Sequence, residues 1–262
     1  MYKVEYSTDE MMTIAASRTL KNEQVCFVGI GLPSAAANLA RVTRAPDLVL
    51  IYESGTLQTE PDILPLSIGD SELSENALTN ISVPEMFRYW LQGGHINLGF
   101  LGAAQIDRFA NINSTVIGNY ENPNVRLPGA GGATEIATHC GEILIIIRQS
   151  KRSFVEKVDF ITSFGHGNGG SDRKNLGINT KGPTKVITDL CILEPHKPSF
   201  ELVVTAMHPG VSREQVLDST GWPIRFADKV DVTNPPTDPE LSALRKLQNK
   251  SLEAQTSKGI EK

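Results

Sequence analysis

Two short apolar runs, Val25-Cys26-Phe27-Val28 and Leu48-Val49-Leu50-Ile51-Tyr52, are joined by a glycine turn and a single Ala-rich stretch. The turn is Gly29-Ile30-Gly31-Leu32-Pro33. The Ala-rich residues from Ser34 to Arg44 read as a helix, and Pro46 stops it because its ring removes a donor and fixes the backbone. A strand that leads through a helix into a second strand of the same sheet runs parallel to it, since the crossover carries the chain back to its starting edge. This unit constrains the fold more than any other feature. It calls for a sheet with helices packed on its faces, and it excludes a helical bundle or a plain β-sandwich.

The flanking segments extend the pattern. Ser7 with Glu10 forms a capping box, and the apolar residues after it predict a helix over 8–21. Val83 to Leu91 predicts another helix, ended by Gly93-Gly94. Strands are expected at Ile96–Leu101, Thr115–Ile117, Ile143–Ile147, Val158–Thr162, Val186–Leu193 and Phe200–Thr205. Ile143–Ile147 is apolar without interruption, as in a strand covered on both faces. Ser212 and Gln215 form a second capping box, with Gly221 as the stop. Strand and helix alternate, so the class is α/β, with an open, mostly parallel sheet covered by helices. Residues 165–183 are rich in glycine and polar side chains and read as a long loop. One domain is expected over 1–236, followed by a short terminal helix and polar tail over 237–262, with leucines 241, 244 and 247 on the helix's buried face.

Composition narrows the function. With 25 Lys+Arg against 30 Asp+Glu the formal net charge is -5, which leaves no basic face for phosphate chains. Nucleic-acid binding is not expected, and aromatic residues at 6% are too scattered for a base-stacking platform. The longest apolar stretch, Ile143–Ile147, is far short of the roughly 20 residues that span a bilayer, so no membrane crossing is expected. The first residues resemble neither a secretory signal nor a transit peptide, which points to the cytoplasm. Cys26, Cys140 and Cys191 are far apart and odd in number, and read as buried hydrophobes. His95, His139, His166, His196 and His208 lack metal-ligand spacing, and no metal is expected.

Three features stand out as candidate chemistry: Gly29 and Gly31 in the first turn, Glu53 in Tyr52-Glu53-Ser54-Gly55, and the cluster Gly129-Ala130-Gly131-Gly132-Ala133. All fall at or beyond carboxyl ends of expected strands, where open α/β sheets bind ligands. The first turn nearly fits the dinucleotide fingerprint G-x-G-x-x-G, with Ser34 in place of its third glycine and Glu53 near the position of a ribose-binding acid. A nicotinamide-dependent oxidoreductase is therefore one reading. The other takes Glu53 as a reacting carboxylate served by unhindered backbone N–H groups of the glycine turns.

The Glu53-Ser54-Gly55 site, the Gly129–Ala133 turn, the run from Gly99 to Gly118 and the stretch from His208-Pro209-Gly210-Val211-Ser212 to Thr220-Gly221 together resemble the β subunits of family I CoA-transferases. The likeness extends from about Ser7 to Pro236, with the motifs in the family's order. Within the family it is most similar to the branch that acts on 3-oxoadipate in aromatic-compound degradation, with the glutaconate branch next. It implies the CoA-transferase fold, Glu53 as the covalent nucleophile, and Gly29, Gly31, Gly129, Gly131, Gly132 and Ala133 as oxyanion and CoA contacts. It also implies an α subunit as partner, acyl-CoA and dicarboxylic acid substrates, and no bound cofactor, the CoA thioester being a substrate. A thioester hydrolase on the same fold is the variant reading. One departure falls after Gly55: where the family commonly continues with small residues, this chain has Thr56-Leu57-Gln58-Thr59-Glu60, which bears on the shape of the acyl pocket. The residue type suits the chemistry, because a glutamate side chain is ordinarily ionised at neutral pH and attacks without a base to remove a proton.

Overall fold

The computed structural model describes residues 5–257. The first four residues of the N-terminal reading and the last five of the expected polar tail lie outside them. The chain forms two compact units, Met1–Asn97 with Pro235–Lys262, and Leu98–Asn234. The first begins with α1 (Thr8–Ser17), β1 (Val25–Val28), α2 (Leu32–Thr43), β2 (Val49–Tyr52), β3 (Thr56–Thr59), α3 (Ser71–Glu75), β4 (Ala77–Asn80) and α4 (Val83–Glu85), which runs into a π-helical stretch, Met86–Leu91. The second contains β5 (Leu98–Leu101), β6 (Gln105–Ile106), β7 (Ile112–Asn113), β8 (Val116–Gly118), β9 (Pro123–Arg126), α5 (Ala133–His139), β10 (Glu142–Ile146), α6 (Asp172–Asn175), β11 (Pro183–Ile187), β12 (Cys191–His196), β13 (Glu201–Met207), α7 (Arg213–Asp218) and β14 (Arg225–Val232). Helix α8 (Asp238–Ser257) then completes the first unit.

In the first unit the strand order is β1-β2-β3-β4, with β1 and β2 parallel and β3 and β4 added antiparallel. In the second the order is β14-β13-β12-β11-β10-β5. There β5, β10 and β11 are parallel, β12 and β13 run antiparallel to their predecessors, and β14 is parallel to β13. The α/β class and the crossover unit are as expected. Strand β10 lies between two parallel neighbours, and Ile143 and Ile145 are fully buried, which accounts for its unbroken apolar character.

Helix α8 is longer than the short terminal helix expected. Leu241, Leu244 and Leu247 pack with Ile14 of α1 and with Ala35 and Leu39 of α2. Arg18 pairs with Glu240 at 2.6 Å and Arg245 with Glu10 at 2.6 Å. Further along, Ser251 Oγ accepts the Leu64 N–H at 2.8 Å, so the tertiary contacts carry the helix past its apolar stripe.

Several expected elements differ for local reasons. Val83–Leu91 becomes largely π-helical, a wider winding that lets Met86 and Leu91, five residues apart, both point inward and both be fully buried. Val186–Leu193 is not one strand but a hairpin: the Thr188 hydroxyl accepts the N–H groups of Leu190 and Cys191 and folds the chain between β11 and β12. Residues 158–162 form no strand; the Asp159 N–H goes to Gln105 Oε1 at 3.2 Å, and its carboxylate accepts from Gln105 Nε2 and the Gly118 N–H. Of the expected strand Thr115–Ile117, Val116 and Ile117 lie in β8, which among the described residues pairs with β9 in a separate two-stranded sheet, while Thr115 falls before it. Gly221 lies beyond the end of α7 and serves close approach instead, its N–H donating to Phe154 O at 2.7 Å.

Candidate active site around Glu53

The site starts from the pairing of β1 and β2. Val28 is in register with Tyr52, so Gly29 and Glu53 are the next residues on two adjacent parallel strands and leave the sheet side by side. After Gly29 the chain turns through Gly31, at φ +80, into α2, whose first turn carries Pro33. A Cβ at Gly31 would meet nothing within 4 Å, so the backbone there is open on the side where a side chain would stand.

Tyr52, fully buried, fixes the end of β2. Its hydroxyl lies 3.0 Å from Ser34 Oγ and accepts from Asn38 Nδ2 at 3.3 Å, while Asn38 Nδ2 also donates to Ser34 O at 2.9 Å. Burial, opposed by the hydrogen bonds to Ser34 and Asn38, raises the phenol above its ordinary pKa, so it stays protonated. Glu53 then follows in a tight turn closed by the Gly55 N–H donating to Tyr52 O at 3.0 Å. Gly55 has φ +97, and a Cβ there would sit 2.1 Å from Ile81 O, so glycine is required. Glu53 is half-buried, and its carboxylate has no hydrogen-bond or ion-pair partner among the described residues. Ser54 Oγ, next to it, is buried and likewise unpaired.

The chain therefore holds a carboxylate on a rigid turn, uncommitted to any structural bond, beside an open glycine turn. Sequence reasoning identifies Glu53, Gly29, Gly31 and Gly55 but misses Tyr52, Ser34 and Asn38. Ser34 enters the sequence pattern only as a missing glycine. The available signal is the pair of polar residues four apart on an otherwise Ala-rich helix, which places both on one face. The departure at Thr56–Thr59 is strand β3, paired with β2 and β4.

The second glycine turn belongs to the second unit. Ser114 holds it from both sides, accepting the Gly129 N–H at 2.8 Å and donating its hydroxyl to Gly129 O at 2.8 Å. Gly129 and Gly131 have positive φ, and Gly132 precedes α5, which Ala133 opens. No backbone acceptor takes the N–H of Gly131 or Gly132 among the described residues.

Two of the histidines and two of the cysteines are held inside the structure. His166 Nε2 donates to Pro183 O, and His208 bridges Thr188 O and Thr233 Oγ1. Burial pushes the thiols of Cys140 and Cys191 up to about 12, so neither is a thiolate at neutral pH. Among the described residues no group of three His, Cys, Asp or Glu could hold a metal, and no helix is long and apolar enough to cross a membrane.

Comparison with known proteins places this geometry. The family model described as coenzyme A transferase matches residues 9–219. The chain is 62% identical to the B subunit of 3-oxoadipate CoA-transferase from Pseudomonas knackmussii, over 98% of each chain. It is 35% identical to the B subunit of glutaconate CoA-transferase from Acidaminococcus fermentans, over 88% of each. The crystal structure of glutaconate coenzyme A-transferase from the same organism superimposes with a TM-score of 0.86 at 32% identity, covering 92% of this chain and 94% of that one. These matches leave the dinucleotide reading without support, in keeping with a buried Ser34 tied to Tyr52 where that fingerprint has glycine. On this sequence and this structure, the chain belongs to the coenzyme A transferase family.

Proposed function

We propose that the chain is the β subunit of a CoA-transferase that moves CoA from succinyl-CoA to 3-oxoadipate, with Glu53 as the covalent nucleophile. The observation that carries the reading is the 62% identity across 98% of both chains to a relative named for 3-oxoadipate. The uncommitted carboxylate on its rigid turn supports the mechanism.

The Glu53 carboxylate attacks the thioester carbonyl of succinyl-CoA; the C–S bond breaks, CoA leaves as thiolate, and a succinyl-glutamyl anhydride remains. The thiolate attacks the glutamyl carbonyl, succinate departs, and a glutamyl-CoA thioester forms. The carboxylate of 3-oxoadipate attacks that thioester and expels the thiolate. The thiolate then attacks the acceptor's carbonyl, giving the new acyl-CoA and the free Glu53 carboxylate. No net proton moves in any step, so the reaction requires no base beside the nucleophile. Each addition places negative charge on a carbonyl oxygen. The Gly29–Gly31 turn, adjacent to Glu53, is positioned to offer N–H groups to it, and donors of this kind are worth about 3 kcal/mol each. Gly129, Gly131, Gly132 and Ala133 are assigned CoA contacts on the basis of their glycine-turn backbone, in which the N–H groups of Gly131 and Gly132 have no backbone acceptor among the described residues.

An anhydride is destroyed by water, so the reaction needs a covered site. An α subunit is the expected cover, and the relatives above are themselves named as subunits. Remote binding of the long CoA chain would supply the energy that drives the carboxylate into reactive geometry.

The test is borohydride quenching of the reconstituted α/β pair after incubation with succinyl-CoA, followed by peptide mass spectrometry. The expected result is a reduced glutamate at position 53 with release of CoA, absent in Glu53→Ala. Turnover with no covalent change at Glu53 refutes the mechanism.

A further inference from the structure

The loop over 165–183 encloses a feature that the transferase reading does not use. A cavity of about 320 Å³ lies within the second unit, between this loop and the β12–β13 turn. The loop that carries it is closely packed at three glycines. A Cβ at Gly165 would lie 2.2 Å from Ala110 O, one at Gly169 would lie 2.2 Å from Ser199 O, and one at Gly182 would strike the Arg173 guanidinium at 2.7 Å. The loop is therefore packed against its neighbours, and the cavity is a built feature of the unit.

Its charge is one-sided. Arg173 is 8% exposed, and it donates to the carbonyls of Ala137, Phe164, Gly165 and Thr180 and to Thr180 Oγ1. None of these acceptors is charged, although buried cations are ordinarily paired with an anion. Burial pulls this guanidinium down to about 10, still protonated at neutral pH. The nearby carboxylates are engaged elsewhere. Asp172 accepts from the Asn168 backbone and side chain, and Glu194 pairs with Lys185. Glu142 pairs with Lys181, itself a lining residue, at 3.7 Å. Lys174 and Lys197 line the cavity, are exposed, and have no carboxylate within 4 Å among the described residues; no Asp or Glu lines it. On a chain of net charge -5 this is a local concentration of positive charge.

Ile178, Pro183, Pro195 and Phe200 give the cavity an apolar wall, beside which Thr180, Thr184 and Lys181 also line it. The His166 ring lies on Phe200 with centroids 4.8 Å apart, and its Nε2 donates to Pro183 O at 2.8 Å. Burial lowers His166 to about 4, so it is neutral at pH 7 and serves as wall. Phe200 holds φ +60, uncommon for a bulky residue, with its N–H bonded to His196 O at 2.7 Å. Rings and prolines make a surface suited to a flat or compact hydrocarbon body, and the volume is at the small end of ligand sites.

We propose that this cavity binds a small organic acid, its carboxylate held between Lys174 and Lys197 in the field of Arg173 and its apolar body resting on Ile178, Pro195 and Phe200. The inference does not depend on the role of Glu53.

The probes are benzoate and hexanoate, with acetate and 1-hexanol as controls for the body and the charge. Binding is measured by calorimetry and ligand-observed NMR on the chain assembled with its partner subunit. Benzoate or hexanoate is expected to bind at least about tenfold more tightly than acetate, and 1-hexanol not to bind detectably. Both acids should lose at least about tenfold in the Lys174→Ala/Lys197→Ala variant, whose changes are at exposed positions, and retain full affinity in Glu53→Ala. Failure of both acids to bind overturns the proposal, as does undiminished affinity in the double-lysine variant. Displacement of the probe by free CoA would assign the cavity to the thioester substrate and overturn it too.

Discussion

The two glycine-rich regions around Glu53 and over 165–183 look alike in composition and differ in what surrounds the missing side chains. At Gly29 a Cβ would lie no closer than 3.8 Å to Pro33, and at Gly31 it would meet nothing within 4 Å. At Gly165, Gly169 and Gly182 it would lie 2.2 to 2.7 Å from backbone or from the Arg173 guanidinium. Gly29 and Gly31 leave their backbone approachable from outside. Gly165, Gly169 and Gly182 are glycine because the chain itself fills the space, as at Gly55 beside Glu53, while Gly170 and Gly177 of the same loop stand open. Density of glycine therefore says little about function; the contents of the space beside each Cα say much more.

The largest effect that would sharpen the comparison is expected from Glu53→Ala, which should lower transfer by about 10⁴-fold or more. It should leave the melting temperature nearly unchanged, because the carboxylate makes no bond in the described structure. Steady-state kinetics beside thermal unfolding reads both, and a large loss of stability would mean that the turn depends on the side chain. Next comes Gly165→Ala, expected to cost about 3 kcal/mol or more in denaturant unfolding, since neither Ala110 O nor the following peptide can retreat. Gly29→Ala should cost less than about 1 kcal/mol in the same assay. Equal costs at the two positions would break the comparison.

Tyr52→Phe is a smaller test of how the open region is held. Loss of the hydroxyl bonded to Ser34 and Asn38 should cost about 1 to 2 kcal/mol and lower kcat more than it raises KM, because the end of β2 carries Glu53. A change in KM alone would show that Tyr52 does not position the nucleophile.

Acid should separate the regions in sequence. Burial holds His166 at about 4 against an ordinary 6.5, so its neutral form stabilises the 165–183 loop above about pH 6.5, and that contribution is lost as pH falls toward 4. Glu240, in the first unit, is half-buried, and that burial alone would raise its pKa. Hydrogen bonds from Arg18 and Thr237 outweigh that and hold it at about 2 against an ordinary 4.5. Its contribution is present above about 4.5 and lost only as pH falls toward 2. Hydrogen exchange at pH 7, 5 and 3 should show the loop loosening by pH 5 and α8 loosening only at pH 3. The reverse order would contradict both assignments.

Much of this molecule was legible in the order of its residues. The β1-α2-β2 crossover followed from local patterning, because alternation of apolar runs with a helical stretch and a stop at Pro46 leaves few other arrangements. Both capping boxes, at Ser7 with Glu10 and at Ser212 with Gln215, are present as read, since they depend on residues three apart. Glu53 was visible for the same reason: it follows a strand end directly and precedes a glycine. Patterning failed where distant groups decided the outcome. Gln105 and Gly118 engaged Asp159 within residues 158–162, and Leu64 met Ser251 in the extended part of α8; the hairpin at Thr188 is a local turn, closed on N–H groups two and three residues on, that the apolar run masked.

The sequence by itself thus determined the α/β class, the crossover and the candidate nucleophile, all of which rest on periodicity and on neighbours a few residues apart. Only the tertiary structure decided that Ser34 and Asn38 brace Tyr52, that Gly29 and Gly31 stand open while Gly165, Gly169 and Gly182 are hemmed in, and that Arg173 is buried with no carboxylate partner among the described residues. Those facts depend on which groups share a volume of space, and packing brings residues together without regard to their separation along the chain.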